Sequence, residues 1–296
     1  MTWIALSIAA ALVWAVSNIL DKIILERWKI PRDAPLVLLA LLGGLISILL
    51  YLFGFASIAP TKLSLLALGN GAIYTGIIVF YFLAVRQEEI SRVIPLFYLA
   101  PLFIAGLSAL VLGERLAYQQ YLGVLTIVIG AYGISTRNLK KPHWGPATGY
   151  MILSAIAATG YGVLTKYLVA HLSPWSVFAY CRVGMFFLVS FYLLLRPKAL
   201  ANSLRECSSV AMLALSLSLC IGMTGAILLI YARETGSATL VEAVSAIQPL
   251  IVLCFALLLS RFKSKFLRED LSKGVVVTKV IAITLLLIGN LLVTSY

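Results

Sequence analysis

The stretch from Trp3 to Ile24, WIALSIAAALVWAVSNILDKII, decides the class of the molecule: in it only Asp21 and Lys22 are charged. A helix needs about 20 predominantly apolar residues to cross the hydrocarbon core of a bilayer. This run has that length. It is too long for the apolar core of a signal peptide and has no basic segment before it, so it reads as a first membrane span. The same length rule finds further runs at about 35–57, 64–85, 92–112, 117–135, 147–169, 174–195, 209–231, 237–260 and 274–295. Composition agrees, since 62% of the chain is hydrophobic and 11% charged. A soluble domain carries about 25% charged residues. Backbone amides in lipid must bond within their own segment, so each run is expected to be a helix. The expectation is an all-α polytopic membrane protein of ten transmembrane helices.

The tail of the opening run appears twice. Ser17-Asn18-Ile19-Leu20-Asp21-Lys22 aligns with Tyr161-Gly162-Val163-Leu164-Thr165-Lys166 in span 6. Thr75-Gly76 in span 3 answers Thr224-Gly225 in span 8, Pro101 answers Pro249, and Ile129-Gly130 answers Ile288-Gly289. The offsets are 144, 149, 148 and 159, in the same order along both halves. Four matches in register argue for a duplication, with residues 1–138 as one five-helix unit and 139–296 as the other. An odd number of spans per unit makes the second inverted relative to the first, the arrangement of many secondary transporters.

Several motifs then carry a family resemblance. Tyr81-Phe82-Leu83-Ala84, Pro101, the run Leu112-Gly113-Glu114-Arg115-Leu116 and the Gly123-x6-Gly130 spacing resemble the EamA family of the drug/metabolite transporter superfamily. The resemblance implies two EamA-like repeats and alternating access around a central cavity lined by spans 1, 3, 4 and 6. Three departures stand out. Leu259-Ser260-Arg261-Phe262 occupies the place of a second Leu-Gly-Glu. Span 2 lacks an arginine the family often carries, although Arg182 in span 7 matches it. Ala282 stands where Gly123 stands in the first half.

The net charge of +12 would point a soluble chain toward nucleic acid. Here seventeen of the 23 Lys and Arg fall in alternate loops and adjoining helix ends, against four, Lys62, Arg115, Lys166 and Arg233, on the other face. That is the pattern of the positive-inside rule. It places the basic face in the cytoplasm and both termini outside, in a plasma or inner membrane. The resemblance implies cytoplasmic termini instead. No nucleic-acid partner is expected; lipid surrounds the chain. The four cysteines show no C-x-x-C spacing, so no metal site is expected. No P-loop or hydrolase signature is present, and neither a cofactor nor an enzymatic activity is expected.

Charge inside a span costs at least about 2.5–3.5 kcal/mol and asks for a reason. Arg182 lies roughly 12 Å into span 7 at 1.5 Å per residue. It reads either as an anchor for a carboxylate in the cavity or as a structural partner of backbone carbonyls. Glu242 reads as the one acid well inside an apolar run. It is either a proton-coupling carboxylate or a partner of Arg182 or Lys166. Lys22 and Lys166 occupy equivalent positions near opposite faces and read as snorkelling residues or as alternating gates. Trp14, Tyr74, Tyr81, Tyr98 and Tyr161 could line a cavity suited to amphipathic or aromatic solutes, or could simply pack. Asn18 and Gln248 are stronger candidates, because an amide in lipid needs a partner. Pro95, Pro101 and Pro249 should bend spans 4 and 9 and act as hinges.

The expected function is secondary transport of a small organic metabolite, with amino acids or related amphipathic solutes among the candidates and a proton or another ion as coupling partner. Two rivals are a flippase for lipid or amphipathic headgroups and a non-transporting membrane subunit or sensor with a sealed core.

Overall fold

The computed structural model describes residues 2–28, 30–58, 61–88, 90–135, 145–197, 207–261 and 273–294. These residues form twelve helices: α1 (Thr2–Arg27), α2 (Ala34–Leu52), α3 (Thr61–Val85), α4 (Ile90–Phe97), α5 (Ala100–Val111), α6 (Tyr118–Ser135), α7 (Pro146–Val169), α8 (Pro174–Leu195), α9 (Ser209–Thr235), α10 (Ala238–Ser245), α11 (Gln248–Arg261) and α12 (Lys273–Thr294). Eight helical stretches among the described residues are long and apolar enough to cross a membrane, with α4–α5 and α10–α11 each counting as one. Many large apolar side chains, such as Leu110, Leu194 and Leu213, point outward. In a soluble protein these would form aggregation-prone patches; here they make a lipid-facing surface. Two spans differ by four residues or more at one end from the bounds read in the sequence. α2 stops at Leu52, where the chain turns through Gly54 at φ 75°. α9 continues to Thr235, four residues beyond the expected end.

Spans 4 and 9 are broken rather than merely bent. Proline has no N–H and cannot donate to the carbonyl four residues back. Around Pro101 the backbone changes to bonds three residues apart: Tyr98 N–H to Pro95 O at 3.1 Å, Leu99 to Leu96 at 3.3 Å and Leu102 to Leu99 at 3.2 Å. Ahead of and across Pro249 the same bonds recur, 148 residues later: Ala246 to Ala243 at 3.1 Å, Ile247 to Val244 at 3.3 Å and Leu250 to Ile247 at 3.1 Å. The break in one span thus sits at the position of the break in the other. α5 packs beside α10 and α4 beside α11, so the broken spans lie side by side.

Around this centre the helices pair as follows. α1 packs against α9, α3 against α7 and α8, α2 against α8, and α6 against α12. Small residues set the closest approaches. A Cβ on Gly123 would fall 2.8 Å from the Gly289 carbonyl oxygen, and one on Gly289 would fall 2.7 Å from the Gly123 oxygen. One turn pair further along, Gly130 meets the Ala282 oxygen at 2.8 Å. The Gly123-x6-Gly130 spacing is therefore the face that α6 turns to α12. Between α3 and α8 the backbones are closer still: a Cβ on Gly184 would run into the Leu68 carbonyl, and one on Gly71 into that of Cys181.

This contact generates a stability prediction. Gly184→Ala should destabilise the protein by about 1–3 kcal/mol, the usual cost of overpacking. Gly69, whose Cβ would meet nothing within 4 Å, is the control. Gly69→Ala should leave thermal unfolding in detergent unchanged or slightly raised, and equal melting temperatures for the two variants would contradict the packing described.

Candidate solute cavity

A cavity of ≈ 120 Å³ lies between α1, α3, α4, α7, α9, α10 and α11, with Leu39 of α2 at its edge. No lining residue comes from α6, α8 or α12, the helices at the runs read as spans 5, 7 and 10, among the described residues. Its wall is aromatic and sulfur-rich, from Trp14, Tyr74, Tyr81, Phe97, Tyr161, Met151 and Met223, and its polar groups gather toward two ends.

At one end stands Asp21, 3% exposed on α1. Ser218 of α9 donates its hydroxyl to one carboxylate oxygen at 2.7 Å. Tyr81 of α3 donates to the other at 2.9 Å and sits 3.0 Å from Asn18 Oδ1. Asp21 therefore has hydroxyl partners, and no basic side chain among the described residues forms an ion pair with it. Ser17 donates to the Ser218 carbonyl at 3.0 Å, and the Trp14 indole to that of Gly222 at 2.9 Å. These bonds knit α1 to α9. The trp ring fits because Gly225 has no side chain: a Cβ there would be 2.6 Å from the indole nitrogen.

At the other end, Arg233 and Glu242 form an ion pair buried to 2% exposure on each side. Ser218 and Arg233 are fifteen residues apart on α9, which separates the two ends by about 22 Å along the helix axis. Tyr98, fully buried, donates its hydroxyl to Gln248 Oε1. This bond ties the break of span 4 to that of span 9. The Tyr74 and Tyr161 rings stand 5.3 Å apart across the wall.

The candidates read from the sequence separate into groups. Trp14, Asn18, Tyr74, Tyr81, Tyr161, Glu242 and Gln248 line the cavity. Tyr98 lies behind Gln248, and Pro101 and Pro249 lie at the breaks. Arg182 is one layer back, its guanidinium 4.1 Å from the centre of the Tyr74 ring and 4.7 Å from that of Phe178. Gly43 of α2 leaves room for its stem, since a Cβ there would fall 3.1 Å from the Arg182 Cδ. Lys22 donates to the Val85 and Glu88 carbonyls at 3.0 and 3.1 Å and pairs with Glu26. Lys166 donates to the Arg233 carbonyl at 2.8 Å. The two lysines thus cap the C-terminal ends of α3 and α9, where carbonyls lack helical partners and the helix dipole favours a cation.

Two expectations need correction. Glu242 pairs with Arg233 rather than with Arg182 or Lys166, because α9 runs on past residue 231 and carries Arg233 inward instead of into a loop. Nor is Glu242 the one acid inside an apolar run: Asp21 is as deeply buried. The signal for Asp21 was its aligned partner Thr165, a hydroxyl facing Asn70 at 2.8 Å where Asp21 faces Ser218. One residue of the motif after span 4 also finds a role. Gly113 takes φ 67° and turns the chain so that Glu114 accepts the backbone N–H of Ala238 at 3.0 Å, at the start of α10. A carboxylate at a helix N-terminus satisfies free amides and complements the dipole.

A bundle of helices of membrane-crossing length enclosing a polar-ended cavity between broken helices defines a multi-pass membrane protein. Residues 1–136 match the EamA-like transporter family. A solved crystal structure of a protein shares the fold over 100% of this chain and 96% of that one, with a TM-score of 0.72 at 18% identity. No curated protein matches the chain.

The buried ion pair yields a test of the site's electrostatics. Removing one partner of such a pair leaves the other charge uncompensated and costs about 3–5 kcal/mol, while removing both is far milder. Glu242→Gln should therefore lower the melting temperature more than the double change Arg233→Gln with Glu242→Gln, read in the same detergent.

Proposed function

We propose that the chain is a secondary transporter that moves a small organic metabolite by alternating access around this cavity. The observation that carries the reading is the cavity itself, placed where two broken spans meet and bounded by helices from both halves of the chain. Broken helices at a central site are a recurrent device of transporters, since they leave backbone and side-chain groups free to hold a solute. A sealed subunit or sensor would have no use for such a space.

Alternating access rests on two units, residues 1–138 and 139–296, related as inverted repeats. Supporting this are the identical backbone bonds 148 residues apart at the breaks, and the two lysines that cap α3 and α9 in the same way. The reciprocal approach of Gly123 to Gly289 and of Gly130 to Ala282 supports it too. In a two-fold contact residue i meets j′ and j meets i′. The lysine and arginine count favours a cytoplasmic basic face with both termini outside.

A proton is the coupling ion, and Asp21 is the group that carries it. Glu242 is held by Arg233, whereas Asp21 lines the cavity with hydroxyl partners, Ser218 and Tyr81, and no basic one among the described residues. A carboxylate without a fixed cation can lose its charge on protonation without stranding a buried partner.

Purified protein in liposomes loaded with a pool of amino acids and organic acids is expected to exchange labelled solute, and a pH gradient is expected to drive net uptake. Asp21→Asn should keep exchange and lose the response to the gradient. Uptake no faster than in protein-free liposomes for every solute tried would overturn transport. An unchanged gradient response in Asp21→Asn would overturn the coupling role alone.

A further inference from the structure

We propose that the Arg233 end of the cavity is a binding site for an anionic group, so that the cargo is an amphipathic organic anion, a carboxylate or a phosphate ester. The inference rests on the transporter reading and names the class of its solute.

The argument begins with hydrogen bonds not made. Buried N–H and O–H groups in native proteins find acceptors, and an unpartnered one is costly. Arg233 uses one terminal nitrogen on Glu242, while its Nε and Nη1 have no acceptor among the described residues. The Tyr161 hydroxyl, also buried, has none either. Both side chains line the cavity, and the Arg233 guanidinium lies 5.8 Å from the Tyr161 ring centre. Two side chains bordering one cavity, each with a buried donor that has no acceptor among the described residues, describe a seat for oxygen atoms.

Charge points the same way. Arg182, 1% exposed, has its guanidinium on the Tyr74 ring, itself 5.3 Å from Tyr161, and forms no ion pair among the described residues. Around the tyrosine pair there are thus two guanidinium groups and one carboxylate, Glu242. The excess is positive, in a setting of low dielectric where charge is felt strongly. Asp21 stands at the far end, about 22 Å away along α9, and does not neutralise it. A guanidinium is the side chain suited to carboxylate and phosphate oxygens. The neighbouring walls of Trp14, Tyr74 and Phe97 would take an apolar or aromatic body.

Matched probes test this by thermal stabilisation of the purified full chain in detergent, since a ligand that binds the folded state raises its melting temperature. Phenylacetate or phenyl phosphate should raise it in a concentration-dependent way, and the response of one over the other tells carboxylate from phosphate. Phenylacetamide and phenethylamine should not. Tyr161→Phe, which removes the free hydroxyl and leaves the ion pair in place, should weaken the apparent affinity by about tenfold, the value of one hydrogen bond to a charged group. The double change Arg233→Gln with Glu242→Gln should abolish the response. The inference is overturned if neither acid stabilises, if the amide or amine acts as well as the acids, or if both variants keep the wild-type response. A response confined to dihexanoylphosphatidylglycerol would also overturn it, by assigning the donors to a lipid headgroup. Because binding is read without flux, liposomes that transport only amines would sink the anion site and leave the transporter standing.

Discussion

A helix in hydrocarbon must satisfy its own backbone, and the structure is organised around the two places where it does not. At residues 98–99 and 246–247 the four-residue ladder lapses, because Pro101 and Pro249 cannot donate to it. Such a lapse is tolerated in a membrane only inside protein. Both breaks are accordingly buried side by side, with Tyr98 and Gln248 bonded across them. Once two spans must break at the centre, other helices have to surround them, and the space left by imperfect packing at the breaks becomes the cavity. Side chains from α1, α3, α7 and α9 line it because those helices are the neighbours of the broken pair.

The polar groups follow from the same constraint. Asp21, Arg233 and Glu242 would each be expensive in lipid, and each is turned inward to a partner. The helices approach closely because small residues stand at the contacts: Gly222 beside Ser17 and Gly225 beneath Trp14, and Gly71 and Gly184 between α3 and α8. The second of these contacts also brings Arg182 over Tyr74, which links a packing feature at the edge of the bundle to the electrostatics of its centre.

The order of the spans was legible in the sequence, eight of them as helices long and apolar enough to cross a membrane, because length and hydropathy report directly on lipid contact. The breaks were legible as prolines, whose effect is local. Partners were not, because a pairing depends on how helices rotate against one another. Arg233 was sorted with the loop charges by a boundary only four residues short, and that misplacement hid the mate of Glu242. Asp21 stood in plain view within the aligned stretch 17–22, where it served as a register mark while its chemistry passed unread. Lys22 and Lys166 were recognised as equivalent, yet that they cap α3 and α9 follows only from where those helices end.

The contact between α6 and α12 carries a consequence for how the chain is put together. Gly123 touches Gly289 and Gly130 touches Ala282, each helix offering the other the same face. The two helices lie far apart along the chain, and because one polypeptide carries both, they meet without the loss of translational freedom that two separate chains would bear. The mutual orientation of α6 and α12 is written in the glycines.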